Sequence, residues 1–309
     1  MFDIKLNEIP KMFEKQNYIV NREVAYAVYS AIKLQKPLLI DGVPGVGKTE
    51  LAKVLSKIYD AELIRLQCYE GITVSKALYD FNYPKQMLYQ SILKDNIINQ
   101  INKMNLDDFK DTVKYLDEFA NFYSDDFLIK KPVFKAIDPS SKTKKILLID
   151  ELDKADLEIE AYLLETLSDY SISIPELGTI SADRDNLPLT IITSNNNRDI
   201  SEAFKRRCIY LSIKYPSIAQ ESKILEIKAN VSREFATMLA ELIHRIRSLS
   251  LKQYPSVSEV IDWATVLYHN FRVKEISSRY KNELIQTINV IAKNDYDTDR
   301  IRVLINNTV

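Results

Sequence analysis

The stretch "DGVPGVGKTE", residues 41–50, constrains this chain more than any other. It holds three of the five glycines, Gly42, Gly45 and Gly47. Glycine gathers where backbone turns sharply or comes close to something else. An apolar run, "KPLLI" (36–40), leads into the loop, and Leu51, Val54, Leu55 and Ile58 follow it at helical spacing. The loop therefore joins a buried strand to a helix. Gly42, Gly47, Lys48 and Thr49 fit the phosphate-binding pattern G-x-x-x-x-G-K-[ST]. Backbone amides of Gly45, Val46, Gly47, Lys48, Thr49 and Glu50 can ring a phosphate at the positive end of that helix. Lys48 would reach the β and γ phosphates, and Thr49 would offer its hydroxyl to a metal. The ligands expected are ATP and Mg²⁺.

A second element supports the first. "ILLIDELDKAD" (146–156) is an apolar strand ending in Asp150-Glu151, a Walker B pattern about 100 residues downstream. Asp150 can hold Mg²⁺ through water, and Glu151 can polarise the attacking water. Asp153, Asp156 and Glu158 read as turn and helix-start residues rather than ligands. In "LTIITSNNNRDISEAFKRRC" (189–208) a third strand ends at Thr193-Ser194-Asn195, where a polar side chain would sit beside the Walker B tip. Asn195 is the residue expected to orient the water, with a plain polar turn as the alternative. Asp199 to Glu202 resembles a capping box opening the next helix. That helix ends in Arg206-Arg207, which the helix dipole favours in any case. The sharper expectation is an arginine finger reaching a neighbouring subunit's γ-phosphate, with Arg207 first and Arg206 second.

The remaining pattern organises the chain. "REVAYAVYSAIKLQ" (22–35) reads as an amphipathic helix; "AELIRLQC" (61–68), "KKILLID" (144–150), "LTIIT" (189–193) and "CIYLSI" (208–213) read as strands. Residues 85–131 read as a helical, partly acidic insert, and a hairpin is expected to turn near Pro175–Gly178. Strands alternating with helices imply a mostly parallel, helix-covered sheet. From residue 215 onward only helical periodicity remains. The expected division is a nucleotide-binding core over 1–213 and a helical lid over 214–309.

Composition excludes several classes. The 309 residues carry net charge −1, from 42 basic and 43 acidic side chains, which argues against a broad grip on nucleic acid. No apolar run approaches the roughly 20 residues of a membrane span. Two distant cysteines, Cys68 and Cys208, form neither a zinc pattern nor a disulfide framework, so a reduced, cytoplasmic protein is the expectation.

With these motifs in order, the chain resembles the MoxR family of AAA+ ATPases over nearly its whole length. "LIRLQCYEGITVSKALYDFNYPKQMLY" (63–89) and "PSVSEVIDWATVL" (255–267) look like the blocks of its CoxD-type branch. That resemblance implies an αβα P-loop sandwich with a parallel sheet, a C-terminal all-helical lid, a homo-oligomeric and usually hexameric ring, and ATP-driven remodelling of a client. The branch implies a von Willebrand factor A domain partner and maturation of molybdenum hydroxylases. A DNA-acting motor of clamp-loader or Holliday-junction type, or a scaffold that binds ATP without turning it over, would share the same core. One departure is visible: where many AAA+ lids carry a sensor 2 arginine, this chain reads Ser258-Glu259, with no arginine between Arg247 and Arg272. Ser256 and Glu259 fit a capping box. Trp263 reads as core. Tyr69 reads first as a packed aromatic, with contact to a threaded substrate as the alternative.

Overall fold

The computed structural model describes residues 2, 5–104, 123–175 and 177–308, with the side chains of 95–104 set aside. In chain order the helices are α1 (Ile9–Glu14), α2 (Arg22–Leu34), α3 (Lys48–Tyr59), α4 (Val74–Ala77), α5 (Tyr83–Met104), α6 (Pro132–Ile137), α7 (Leu157–Asp169), α8 (Glu202–Arg207), α9 (Ile218–Lys228), α10 (Arg233–Arg247), α11 (Val257–Thr265), α12 (Lys281–Gln286) and α13 (Asp295–Thr308). The strands are β1 (Leu38–Gly42), β2 (Glu62–Gln67), β3 (Tyr79–Phe81), β4 (Leu128–Lys130), β5 (Lys145–Asp150), β6 (Ser171–Ile174), β7 (Gly178–Ser181), β8 (Leu189–Ser194) and β9 (Ile209–Ile213).

Five strands form one sheet in the order β2-β5-β8-β1-β9, and every pairing in it is parallel. Strands β5 and β8 are buried at every position. A parallel sheet covered on both faces asks for such apolar runs, which "KKILLID" (144–150) and "LTIIT" (189–193) supply. One layer of core, built on Leu39, Leu147, Ile149 and Ile192, takes in α6 and α7. The opposite layer, built on Ile40, Ile146, Leu148 and Ile191, takes in α1, α2 and α3. The fold is thus the AAA+ P-loop sandwich, helices on both faces of a five-stranded parallel sheet, followed by a helical C-terminal region.

A third apolar cluster lies wholly within residues 225–305 and centres on Trp263, which is fully buried and donates its indole N–H to Thr287 Oγ1 at 2.7 Å. Both capping partners of α11 are present: Ser256 Oγ accepts from Glu259 N, and the Glu259 carboxylate accepts from Ser256 N.

The insert departs from expectation. Helix α5 starts at Tyr83, and residues 105–122 of the expected helical segment lie outside the described residues. Residues 128–130 are not helical. They form β4, antiparallel to β3, a two-stranded ribbon that closes the base of the insert. Three residues of β-branched or aromatic character, Tyr79, Phe81 and Ile129, meet across this short ladder and outweigh a weak helical pattern there. The hairpin is observed as β6 paired with β7; Glu176 at its turn is outside the described residues.

Candidate nucleotide site

Parallel sheets present their functional crevices at the carboxyl ends of their strands. Here β1, β5 and β8 deliver the glycine loop, Asp150-Glu151 and Asn195 to one cleft of about 280 Å³. Lys48, the first residue of α3, is buried. Its ammonium donates to Gly42 O at 2.5 Å, Val43 O at 2.9 Å and Asn195 Oδ1 at 2.7 Å. All three of its protons are therefore placed. Burial pushes its pKa below the ordinary lysine value, while Asp41, Asp153, Asp150 and Glu151 pull the other way.

Two of the loop glycines answer to the protein's own packing as well as to a ligand. A Cβ on Gly42 would fall on the carbonyl oxygen of Ile213 in β9. Gly45 has φ +73°, and a Cβ there would strike Ser256 at the start of α11. The Ser258 hydroxyl also reaches Gly45 O at 3.4 Å. The start of α11 thus rests directly on the phosphate loop. Gly45→Ala is expected to lower the stability of the nucleotide-free protein by about 2 kcal/mol, through the left-handed backbone and the clash together. Urea denaturation without nucleotide reads this; an unchanged midpoint would mean that the contact with α11 carries nothing.

The acidic residues are held tightly. Asp150 Oδ1 accepts from Thr193 Oγ1 at 2.6 Å and Thr49 Oγ1 at 3.0 Å. Its Oδ2 accepts from Arg65 Nε at 3.1 Å and Nη2 at 2.5 Å. Glu151 has φ 59° and ψ 51°, a left-handed conformation that costs a non-glycine residue about 1–2 kcal/mol. Its carboxylate accepts from Asn195 Nδ2 and from Gln67 Nε2, both at 3.0 Å, and pairs with Lys154 at 2.7 Å. Asn195 therefore joins the loop lysine to Glu151. Its neighbours do other work. Asn196 makes the turn at φ 61°, and Asn197 donates from its backbone and its amide to Asp153 Oδ2. Asp153 is buried, more than a turn residue, and ties this loop to the segment after Asp150.

The structure brings together Lys48, Thr49, Asp150, Glu151 and Asn195. It does not bring in Arg206 or Arg207, which stand exposed at the end of α8. The cap of α8 differs from the expected one: Ser201, not Asp199, accepts from Phe204 N, and Ser201 N is held by Glu160 Oε1. Tyr69 is also corrected. It is 41% exposed rather than packed, with the Lys76 ammonium 5.4 Å from its ring centre. Burial raises the Cys68 and Cys208 thiols to about 12, and both are free.

Sequence reasoning overlooked Arg65, Gln67 and Thr193 as site residues. In "LIRLQC", period-2 alternation places Arg65 and Gln67 together on the polar side of β2 while Ile64 and Leu66 face the core. Two hydrogen-bonding side chains in step, running toward a strand tip beside Asp150, were the available signal.

Across Gly45 and Gly47 from the acidic cleft lies a second one of about 320 Å³, lined by Ile19, Val46, Ile224, Ile227, Val257 and Ile261. Its apolar walls suit a flat ring system. The buried lysine at a helix start, the glycine cradle and the hydroxyl–carboxylate pair Thr49–Asp150 fit a nucleotide triphosphate with its divalent ion.

These features define a P-loop nucleotide-binding protein of the AAA+ type. The chain belongs to the AAA domain family, dynein-related subfamily, whose model matches residues 37–208, more than half of its length. As a class, AAA domains bind ATP, typically with Mg²⁺, and hydrolyse nucleotide. Among solved structures, a mutant RuvB from Thermogota maritima is similar at 14% identity and a TM-score of 0.43, covering 92% of this chain and 67% of that one. A likeness at that level carries no argument about function. No curated protein matches the sequence. Among the described residues no helix is long and apolar enough to cross a membrane.

Proposed function

We propose that this chain is a MoxR-type ATPase that hydrolyses ATP at sites between the subunits of a homo-oligomeric, hexameric ring and uses the energy to remodel or mature a client protein. The observation that carries the reading is the single hydrogen-bonded chain from Lys48 through Asn195 to Glu151, with Thr49 and Asp150 beside it. In this reading the amides of 45–50 and Lys48 bind the triphosphate, while Thr49 and Asp150 hold Mg²⁺. The metal supplies charge stabilisation at the transferring phosphoryl group. Glu151 takes the proton of the attacking water as its oxygen bonds to the γ-phosphorus, and the bond to the β-bridging oxygen breaks to leave ADP. Asn195 holds the Glu151 carboxylate by a hydrogen bond and orients the attacking water beside it.

Arg207 would complete the site in the next subunit, with Arg206 as the alternative. Their exposure at the end of α8, away from their own chain's cleft, supports an action in trans. The division into a core over 1–213 and a lid over 214–309 belongs to the same proposal, supported by the separate apolar cluster of residues 225–305. The client class follows only from the blocks around Tyr69 and Trp263: a von Willebrand A-domain adaptor and a metal-cofactor enzyme such as a molybdenum hydroxylase. The near-neutral charge disfavours a DNA-acting motor.

The test is Mg²⁺-dependent ATP hydrolysis per chain as protein concentration rises. Turnover should climb as rings assemble. Arg207→Ala should lower kcat by about 10³-fold with nucleotide binding retained. Turnover per chain that does not depend on concentration, and that neither Arg207→Ala nor Arg206→Ala affects, would remove the inter-subunit site.

A further inference from the structure

Asp150 is held by two threonines on one oxygen and by one arginine on the other, and the two grips differ in kind. A carboxylate offers about four acceptor positions, and all four are taken here. Thr193 is buried in the middle of the sheet, and Thr49 is fixed in the first turn of α3, so the Oδ1 pair is rigid. Arg65 lies on β2, an edge strand of the sheet, and its side chain is 50% exposed against 4% for Asp150. Its Nη2 also reaches Gln67 Oε1, whose amide in turn donates to Glu151. Arg65 is the one partner of Asp150 that can swing into solvent without disturbing the core.

A hydrated divalent ion held through Asp150 needs an acceptor on that carboxylate. It also brings a second positive charge to an anion already neutralised by a guanidinium. The two cations compete, in contacts and in charge. We propose that Arg65 is the resident counter-ion of Asp150, which must yield Oδ2 when Mg²⁺ arrives and so sets the Mg²⁺ concentration at which nucleotide is held tightly. This inference rests on the reading of the cleft as an ATP–Mg²⁺ site and goes beyond it in making Arg65 a positioning residue that opposes the metal. If Arg65 merely braced the site, its loss would disorder Asp150 and weaken Mg²⁺ binding. Competition requires the opposite sign.

The experiment uses the full chain and a fluorescent N-methylanthraniloyl ATP at fixed concentration. Mg²⁺ is titrated in from an EDTA-buffered start, for the wild type, Arg65→Gln and Arg65→Lys. Arg65→Gln keeps a hydrogen-bonding side chain and removes the charge. Its Mg²⁺ midpoint is expected to fall by about fivefold, the scale of a half-exposed ion pair. Arg65→Lys keeps the charge but loses the two-pronged grip, so its midpoint should fall in the same direction by less. It also carries the test if the glutamine variant does not fold. A midpoint that stays or rises in the folded variants, beside a wild type whose nucleotide binding depends on Mg²⁺, overturns the inference alone. A wild type that binds no nucleotide removes the functional reading and the inference with it.

Discussion

Lys48→Ala is expected to abolish nucleotide binding, raising the Kd of a fluorescent ATP analogue by at least about 100-fold. Three charge-assisted hydrogen bonds converge on this ammonium, from two loop carbonyls and Asn195. It is buried where four carboxylates draw it. A bound triphosphate would exchange some of those partners for its own oxygens at little cost, because the lysine is already desolvated and in place. Alanine removes the charge and leaves Gly42 O and Val43 O without that donor. Circular dichroism and the emission of Trp263, the only tryptophan, report whether core and lid stay folded. A folded Lys48→Ala protein that binds the analogue as the wild type does would overturn the assignment of this cleft.

Glu151→Gln should separate binding from chemistry. Glutamine is isosteric, keeps an oxygen for Asn195 Nδ2, and loses the ability to take a proton, the acceptor for Gln67 Nε2 and the ion pair with Lys154. The analogue's affinity should hold, while single-turnover hydrolysis of labelled ATP falls by about 10²–10⁴-fold, the span attributable to a general base. A variant that turns ATP over at the normal rate would show that another group accepts the proton. One that no longer binds would give Glu151 a share in holding the nucleotide instead.

The parts of this molecule legible in its sequence are those whose cause is local. A glycine loop between an apolar run and a helical pattern, and an apolar run closed by two acids, each carry their meaning within a dozen residues. Fold class and four of the site residues, Lys48, Thr49, Asp150 and Glu151, follow from them. What was not legible depends on which strands become neighbours. Arg65 and Gln67 matter because β2 pairs with β5 in a register that sets Gln67 opposite Asp150. Ser256 and Ser258 matter because the start of α11 comes to lie against Gly45, 211 and 213 positions earlier in the chain. Tyr69 looked like core because aromatic residues usually are; its exposure is decided by the loop after β2, not by its own type.

The left-handed backbone at Glu151 has a consequence for how this position tolerates change. A carboxylate on a regular strand is aimed by choosing among side-chain rotamers. Here the turn of the chain itself does the aiming, held by Thr193 Oγ1 on the Glu151 amide at 2.9 Å. Direction therefore belongs to the backbone, and the residue type decides only reach. A shorter acid at 151 would point at the same place and stop short of it, so geometry and chemistry at this corner of the cleft can vary one at a time.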